Sequence, residues 1–183
     1  MADYVPLARD VQAIRIPDGV PVPLAKGMLV KLTQALGFSY TVQTEGGGKF
    51  RVAGQDGDAI GQPVVGTVGD RADVPQDAAS LEALAREQLK GVFDPEIPVD
   101  IVDLGLVHSC KVTARAEGGF HAEVRMGLTA PGCGMGDVLV KDVERALLAI
   151  RGIVSVDAKV VLFPVWNPYT MMSEAAKLKL GML

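Results

Sequence analysis

The hydrophobic pattern of this chain changes its period once. Up to about residue 65 apolar residues come in short alternating runs, and beyond residue 77 helical and strand spacings take turns. The stretch between them, residues 66–77, is polar, carries Gly and Pro and has no period, which reads as a linker. Two units are expected, residues 1–70 and 76–183, and 183 residues suffice to give each a core.

The first unit is expected to be a small all-β domain, barrel-like or a sandwich. Val11 to Ile16 runs into the turn Pro17-Asp18-Gly19. Met28, Val30 and Leu32 alternate with Leu29, Lys31 and Thr33, and Phe38–Thr44 and Lys49–Ala53 flank Glu45-Gly46-Gly47-Gly48 as a hairpin. In the second unit, Asp77 or Ser80 is placed to cap a helix running to Lys90, with Leu81, Leu84, Ala85 and Leu89 on one face. Strands are predicted over Leu106–Thr113 and Phe120–Leu128, then a helix over Asp137–Ile150, a strand over Val154–Leu162 and a short helix over Ser173–Leu180. The order α-β-β-α-β predicts a two-layer sandwich with helices on one sheet face, and an α+β chain as a whole.

Composition narrows the function. Nearly half the residues are apolar and 22% are charged, the balance of a globular protein. A net charge of −4 argues against nucleic acid as the main partner. No apolar run reaches the roughly 18 residues of a membrane span, and Met1-Ala2-Asp3-Tyr4 does not open a secretory signal. Two cysteines do not make a disulfide framework, so a reducing cytoplasm is the expected setting.

Cys133 stands out among residues able to do chemistry. It lies in Thr129-Ala130-Pro131-Gly132-Cys133-Gly134-Met135-Gly136, just ahead of a predicted helix, where unpaired N–H groups favour a thiolate. Gly132, Gly134 and Gly136 let the backbone approach a bound anion or cluster. Cys110 falls mid-strand on the face of Leu106, His108 and Val112 and is expected in the core. His108 is expected to hydrogen-bond there, and His121, on the polar face, to be solvated. Neither has a local motif making it a base for Cys133. Asp94-Pro95-Glu96 offers two carboxylates in a rigid turn. They suit a metal or partner equally as well as a plain turn in which Asp94 accepts backbone N–H groups and Glu96 is solvated. Asp100 and Asp103 read as capping residues, and Trp166 as a packing anchor.

Three pieces of the second unit carry a family resemblance. They are Asp94-Pro95-Glu96-Ile97-Pro98 with Ile101, Asp103, Leu104, Gly105, Leu106 and Val107; Leu128-Thr129 with Cys133 four residues after the threonine; and Val160–Leu162 leading into Pro164 and Trp166. In this order they resemble the iron–sulfur assembly domain shared by SufT-type and PaaD-type proteins. Leu7–Val11, Ile16–Gly19, Thr33–Val42 and Asp58–Gly61 look like the N-terminal region of the SufT-type branch. Many such relatives place a proline after the cysteine, where this chain has Gly134.

The resemblance implies an auxiliary, non-enzymatic role in maturing iron–sulfur proteins. It implies Cys133 as the residue that binds the cluster or its metal, supported by Asp94, Glu96, Thr129, Gly132 and Gly134. It also implies a transient iron–sulfur cluster, assembly proteins and client apo-proteins as partners, and no nucleic acid or membrane. A cluster usually needs about four thiolate-like ligands, so a homodimer or an outside thiol is expected to complete it, with the β-domain not required at the cluster. A cluster-free adaptor and a thiol enzyme with a histidine base are the alternatives.

Overall fold

The computed structural model describes residues 4–65, 77–130 and 134–182. The expected linker over 66–77 lies outside these except for Asp77, and Pro131, Gly132 and Cys133 lie outside them too.

Six strands form the N-terminal sheet: β1 (Val5–Pro6), β2 (Val11–Ile16), β3 (Pro21–Leu24), β4 (Leu29–Leu36), β5 (Ser39–Thr44) and β6 (Lys49–Ala53). Their order is β1-β4-β5-β6-β2-β3, and every pairing is antiparallel. The expected barrel-like closure is not made by hydrogen bonds: β1 and β3 remain the two edges among the described strands. Two features of β3 suit an edge, Pro21 and Pro23, neither of which can donate to a ladder. A 3-10 turn over Gly54–Ile60, not predicted, brings Ala59 and Ile60 into a core with Leu7, Val11, Leu24, Val30, Tyr40, Val42 and Val52.

Period-2 alternation gives this sheet a second face, and that face is also covered. Thr41 pairs with Arg51, and both are buried although polar. What covers them is the second unit.

That unit contains α1 (Ala78–Leu89), β7 (Val107–Ala114), β8 (Phe120–Met126), α2 (Gly136–Leu148), β9 (Ile153–Val160), α3 (Pro168–Met171) and α4 (Glu174–Lys179). The first five give the expected α-β-β-α-β order. The side chain of Asp77 caps α1 by accepting from the Ser80 N–H at 2.8 Å, and Ser173 caps α4 in the same way. The order β7-β8-β9 has an antiparallel and then a parallel pair. Since parallel neighbours need a crossover, the segment from β8 to β9 passes through α2. Helix α1 packs on β7, α2 on β9, and the helices touch each other. Leu81, Leu89, Leu106, Cys110, Val124, Met126, Val143 and Leu147 fill the space between helices and sheet.

Leu147 is fully buried on the sheet-facing side of α2. Leu147→Ala is expected to cost about 2–5 kcal/mol through the cavity it leaves. A shift of the urea midpoint at unchanged slope measures it.

Candidate functional site

Three segments meet at the end of the small sheet where the chain leaves β8. The Leu106 carbonyl accepts from Gly127 N–H at 2.8 Å, and the Met126 carbonyl from Val161 N–H at 2.8 Å. Residues 94–106, 127–130 and 161–166 are thereby gathered around the entrance to the glycine-rich loop.

The first segment is organised by two buried carboxylates. Asp94 Oδ1 accepts from the backbone N–H groups of Glu96 and Ile97 at 2.8 and 2.9 Å. Asp100 Oδ1 does the same for Val102 and Asp103 at 3.0 and 2.9 Å. Each uses its short side chain as the acceptor for N–H groups of its own tight turn. Asp94 N–H donates back to the Val99 carbonyl, and the Leu104 carbonyl accepts from Trp166 Nε1 at 2.7 Å, so Trp166 pins the far end of the turn. Burial pushes the Asp100 carboxyl up, against the two N–H groups that pull it down.

The second oxygen of Asp94 faces Thr129, whose hydroxyl lies 3.5 Å away, at the limit of a hydrogen bond. Asp94 and Thr129 are therefore neighbours. Glu96, next along the turn, is exposed and lines a cleft of about 580 Å³ shared with Ile16, Pro17, Thr33 and Lys49 of the N-terminal sheet. Gly134 begins the described chain again beyond the loop. Its backbone lies against Asp18 and Gly19, so tightly that a methyl group on Gly134 or on Gly19 would run into the other segment. The N-terminal unit thus reaches Gly134, the residue that follows Cys133 in sequence.

A second contact between the two units is a buried ion pair that sequence reasoning missed. The Arg51 guanidinium of β6 meets the Asp142 carboxylate of α2, with both side chains more than nine-tenths buried. Arg51 Nε also donates to Ser39 Oγ at 3.1 Å. Burial pushes the Asp142 carboxyl up, while Arg51 and the more distant Arg145 pull it down. One signal was present in the sequence: Asp142 lies three residues after Leu139 and four before Ala146, on the apolar stripe of α2.

The remaining candidates are dispersed. Cys110 is fully buried in the core, and burial pushes its thiol up. The expected core hydrogen bond of His108 is absent among the described residues. The β7–β8 register shifts between Val107 and Ser109, and the ring packs against Gly127 with both nitrogens buried and without a partner. Desolvation holds its imidazole below the ordinary histidine value. His121 is half-buried rather than solvated, its Nδ1 2.8 Å from Ser155 Oγ across the parallel β8–β9 pair. No three His, Cys, Asp or Glu side chains among the described residues are grouped to hold a metal ion.

The sequence profile of the iron–sulfur cluster assembly protein family matches residues 82–160. An Fe-S protein maturation auxiliary factor of Porphyromonas gingivalis is 42% identical over 95 residues, 52% of this chain and 86% of the relative. An Fe-S protein maturation auxiliary factor SufT of Staphylococcus aureus is 41% identical over 90 residues, 49% of this chain and 97% of the relative. A crystal structure of a domain of unknown function from Bacillus anthracis is similar at a TM-score of 0.50 and 34% identity, covering 58% of this chain and 96% of that one. The profile begins within α1, so the N-terminal sheet lies outside it.

Two outcomes are expected from this geometry. Asp94→Ala leaves two N–H groups of a buried turn without their acceptor and should cost about 1–3 kcal/mol, read from denaturant unfolding. His108 has a folded-state pKa below its unfolded value of 6.5. Between those two values the unfolded chain binds a proton that the folded chain does not, so this contribution is intact above 6.5 and is lost as pH falls through that window. His108→Phe should flatten the corresponding part of the stability–pH curve.

Proposed function

We propose that this chain, which belongs to the SufT-type family of iron–sulfur protein maturation factors, is a cytoplasmic auxiliary factor that uses the Cys133 thiol to receive a cluster and pass it to client apo-proteins. The observation that carries the reading is the identity of 42% to a maturation factor of which the chain covers 86%. The cluster is cargo in this reading, not a resident cofactor.

The finer parts draw on ligand supply. The chain has two cysteines. Cys110 is fully buried in the core with its thiol pushed up, so reaching it would mean displacing packed side chains. Cys133 is left as the thiolate each chain offers, four residues after Thr129 and three before the start of α2 in sequence. Two chains, or one chain and an outside thiol, then hold a cluster with fewer than its usual protein ligands, and such a cluster leaves easily. A non-enzymatic role agrees with the histidines. His121 lies along β8 about 17 Å from Met126 at the usual strand rise, and His108 faces Gly127 with its nitrogens buried.

A second reading, a cluster-free adaptor, is favoured by one observation. Leu162, Phe163, Val165 and Tyr169 are all at least 60% exposed on the segment after β9, an apolar surface suited to protein contact.

Anaerobic reconstitution with iron and sulfide, followed by sedimentation with iron quantified in each fraction, separates the readings. The proposed carrier shows cluster absorbance on a dimer, or on a monomer only with added thiol, and loses it in Cys133→Ser. A stoichiometric cluster on a thiol-free monomer would refute the ligand count. Wild-type function retained in cells by Cys133→Ser would favour the adaptor.

A further inference from the structure

We propose that the outer edge of β9 is a docking site for an extended segment of another protein, which joins the small sheet as a further strand. The proposal draws nothing from Cys133 and goes beyond the maturation role by stating how a partner is held.

The two sheets have four edges among the described strands, and three of them are closed to pairing. β1 is two residues long and ends in Pro6, and β3 carries Pro21 and Pro23, which have no N–H to offer. On β7 the side chains of α1 answer the outward backbone. Val112 N–H donates to Glu82 Oε2 at 3.2 Å, and the Cys110 carbonyl accepts from Arg86 Nη2 at 3.0 Å. β9 has none of these devices: it runs for eight residues without proline or glycine. Val161 N–H donates to the Met126 carbonyl, so alternation back along the strand turns the N–H and C=O of Val160, Ala158 and Val156 away from β8. Among the described residues those groups have no partner.

The end of this edge is also fitted for side chains. Past Val160 the chain exposes Leu162 and Phe163, and a groove of about 50 Å³ lies between Leu128, Val160, Pro164 and Trp166. A free strand edge supplies affinity in strand addition, and pockets beside it select the side chains. On the polar face Asp157 and Lys159, paired with each other, present both signs of charge beside the edge. An added antiparallel strand meets Lys159 with an acid, Asp157 with a base, and Val160 and Val156 with apolar residues.

The occupant is a lone strand and not a second copy of this chain. Helix α2 packs directly on β9. Two copies joined β9 to β9 would set their α2 helices one strand spacing apart, about 4.8 Å. Packed helices need about 8–10 Å between axes. An extended segment with no helix over it has no such conflict.

The probe is an acetylated and amidated peptide, Leu-Ser-Val-Glu-Val-Lys-Val-Ser, titrated into the full chain. In antiparallel register its leucine reaches the groove, its glutamate faces Lys159 and its lysine faces Asp157. Saturable binding is expected, with slowed amide exchange at Val156, Ala158 and Val160. The Asp157 and Lys159 amides, which alternation turns toward β8, should already be slow in the free chain. Exchanging the peptide's glutamate and lysine should weaken binding by roughly fivefold, and the Asp157→Lys/Lys159→Asp double variant should reverse that preference. N-methylation of the central valine removes the N–H that faces Ala158 and should abolish binding. The proposal is overturned by a lack of saturable binding, by binding that leaves the three amides exchanging as before, or by equal binding of the N-methylated peptide. A free chain that sediments as a dimer with those three amides already slow also overturns it, because a second copy then holds the edge.

Discussion

The parallel pairing of β8 with β9 is the constraint from which the rest of the second unit follows. A parallel neighbour cannot be reached by a hairpin, so the chain must leave the sheet at Met126, cross its face as α2 and return at Ile153. The exit places residues 127–130 at the sheet's end, and the chain is described again from Gly134, two residues before α2. The turn from Asp94 to Leu106 and the segment from Val161 to Trp166 are stitched to the same end through the Gly127–Leu106, Val161–Met126 and Trp166–Leu104 bonds.

Three carboxylates are buried among the described residues, and they are answered in two ways. Asp94 and Asp100 are satisfied by backbone N–H groups and serve local geometry, holding turns that lack regular ladders, the Asp94 turn containing Pro95. Asp142 has no such turn to hold. Its partner comes from the other unit, so its burial depends on docking. The docking also explains Arg51 and Thr41, polar residues on a strand face that would ordinarily look into water.

Much of this was legible because it is local. β2 and β6 ran where alternation put them, Asp77 capped α1, and the α-β-β-α-β order followed from periodicity alone. What escaped was non-local. Arg51 reads as an outward strand residue and Asp142 as a minor flaw in a helical stripe until one is seen against the other. His108 shares the parity of Cys110, but the register shift between Val107 and Ser109 breaks the alternation, and among the described residues its ring has no partner where a core hydrogen bond was expected. The 3-10 turn at Gly54–Ile60 has neither period and gave no signal. In the site, Asp94 and Thr129 are 35 positions apart and were linked only by family likeness; the fold brings them together. Gly132 and Cys133 lie outside the described residues, so their place in the site rests on sequence.

Cluster transfer to an acceptor tests the central claim most directly. The reconstituted chain is mixed anaerobically with a purified apo iron–sulfur protein, the two are separated by size, and cluster absorbance and iron are measured in the acceptor fraction over time, for wild type and for Cys133→Ser. The account predicts that wild type loads the acceptor faster than free iron and sulfide do and that Cys133→Ser gives no acceleration over them. Equal acceleration by both chains would contradict it.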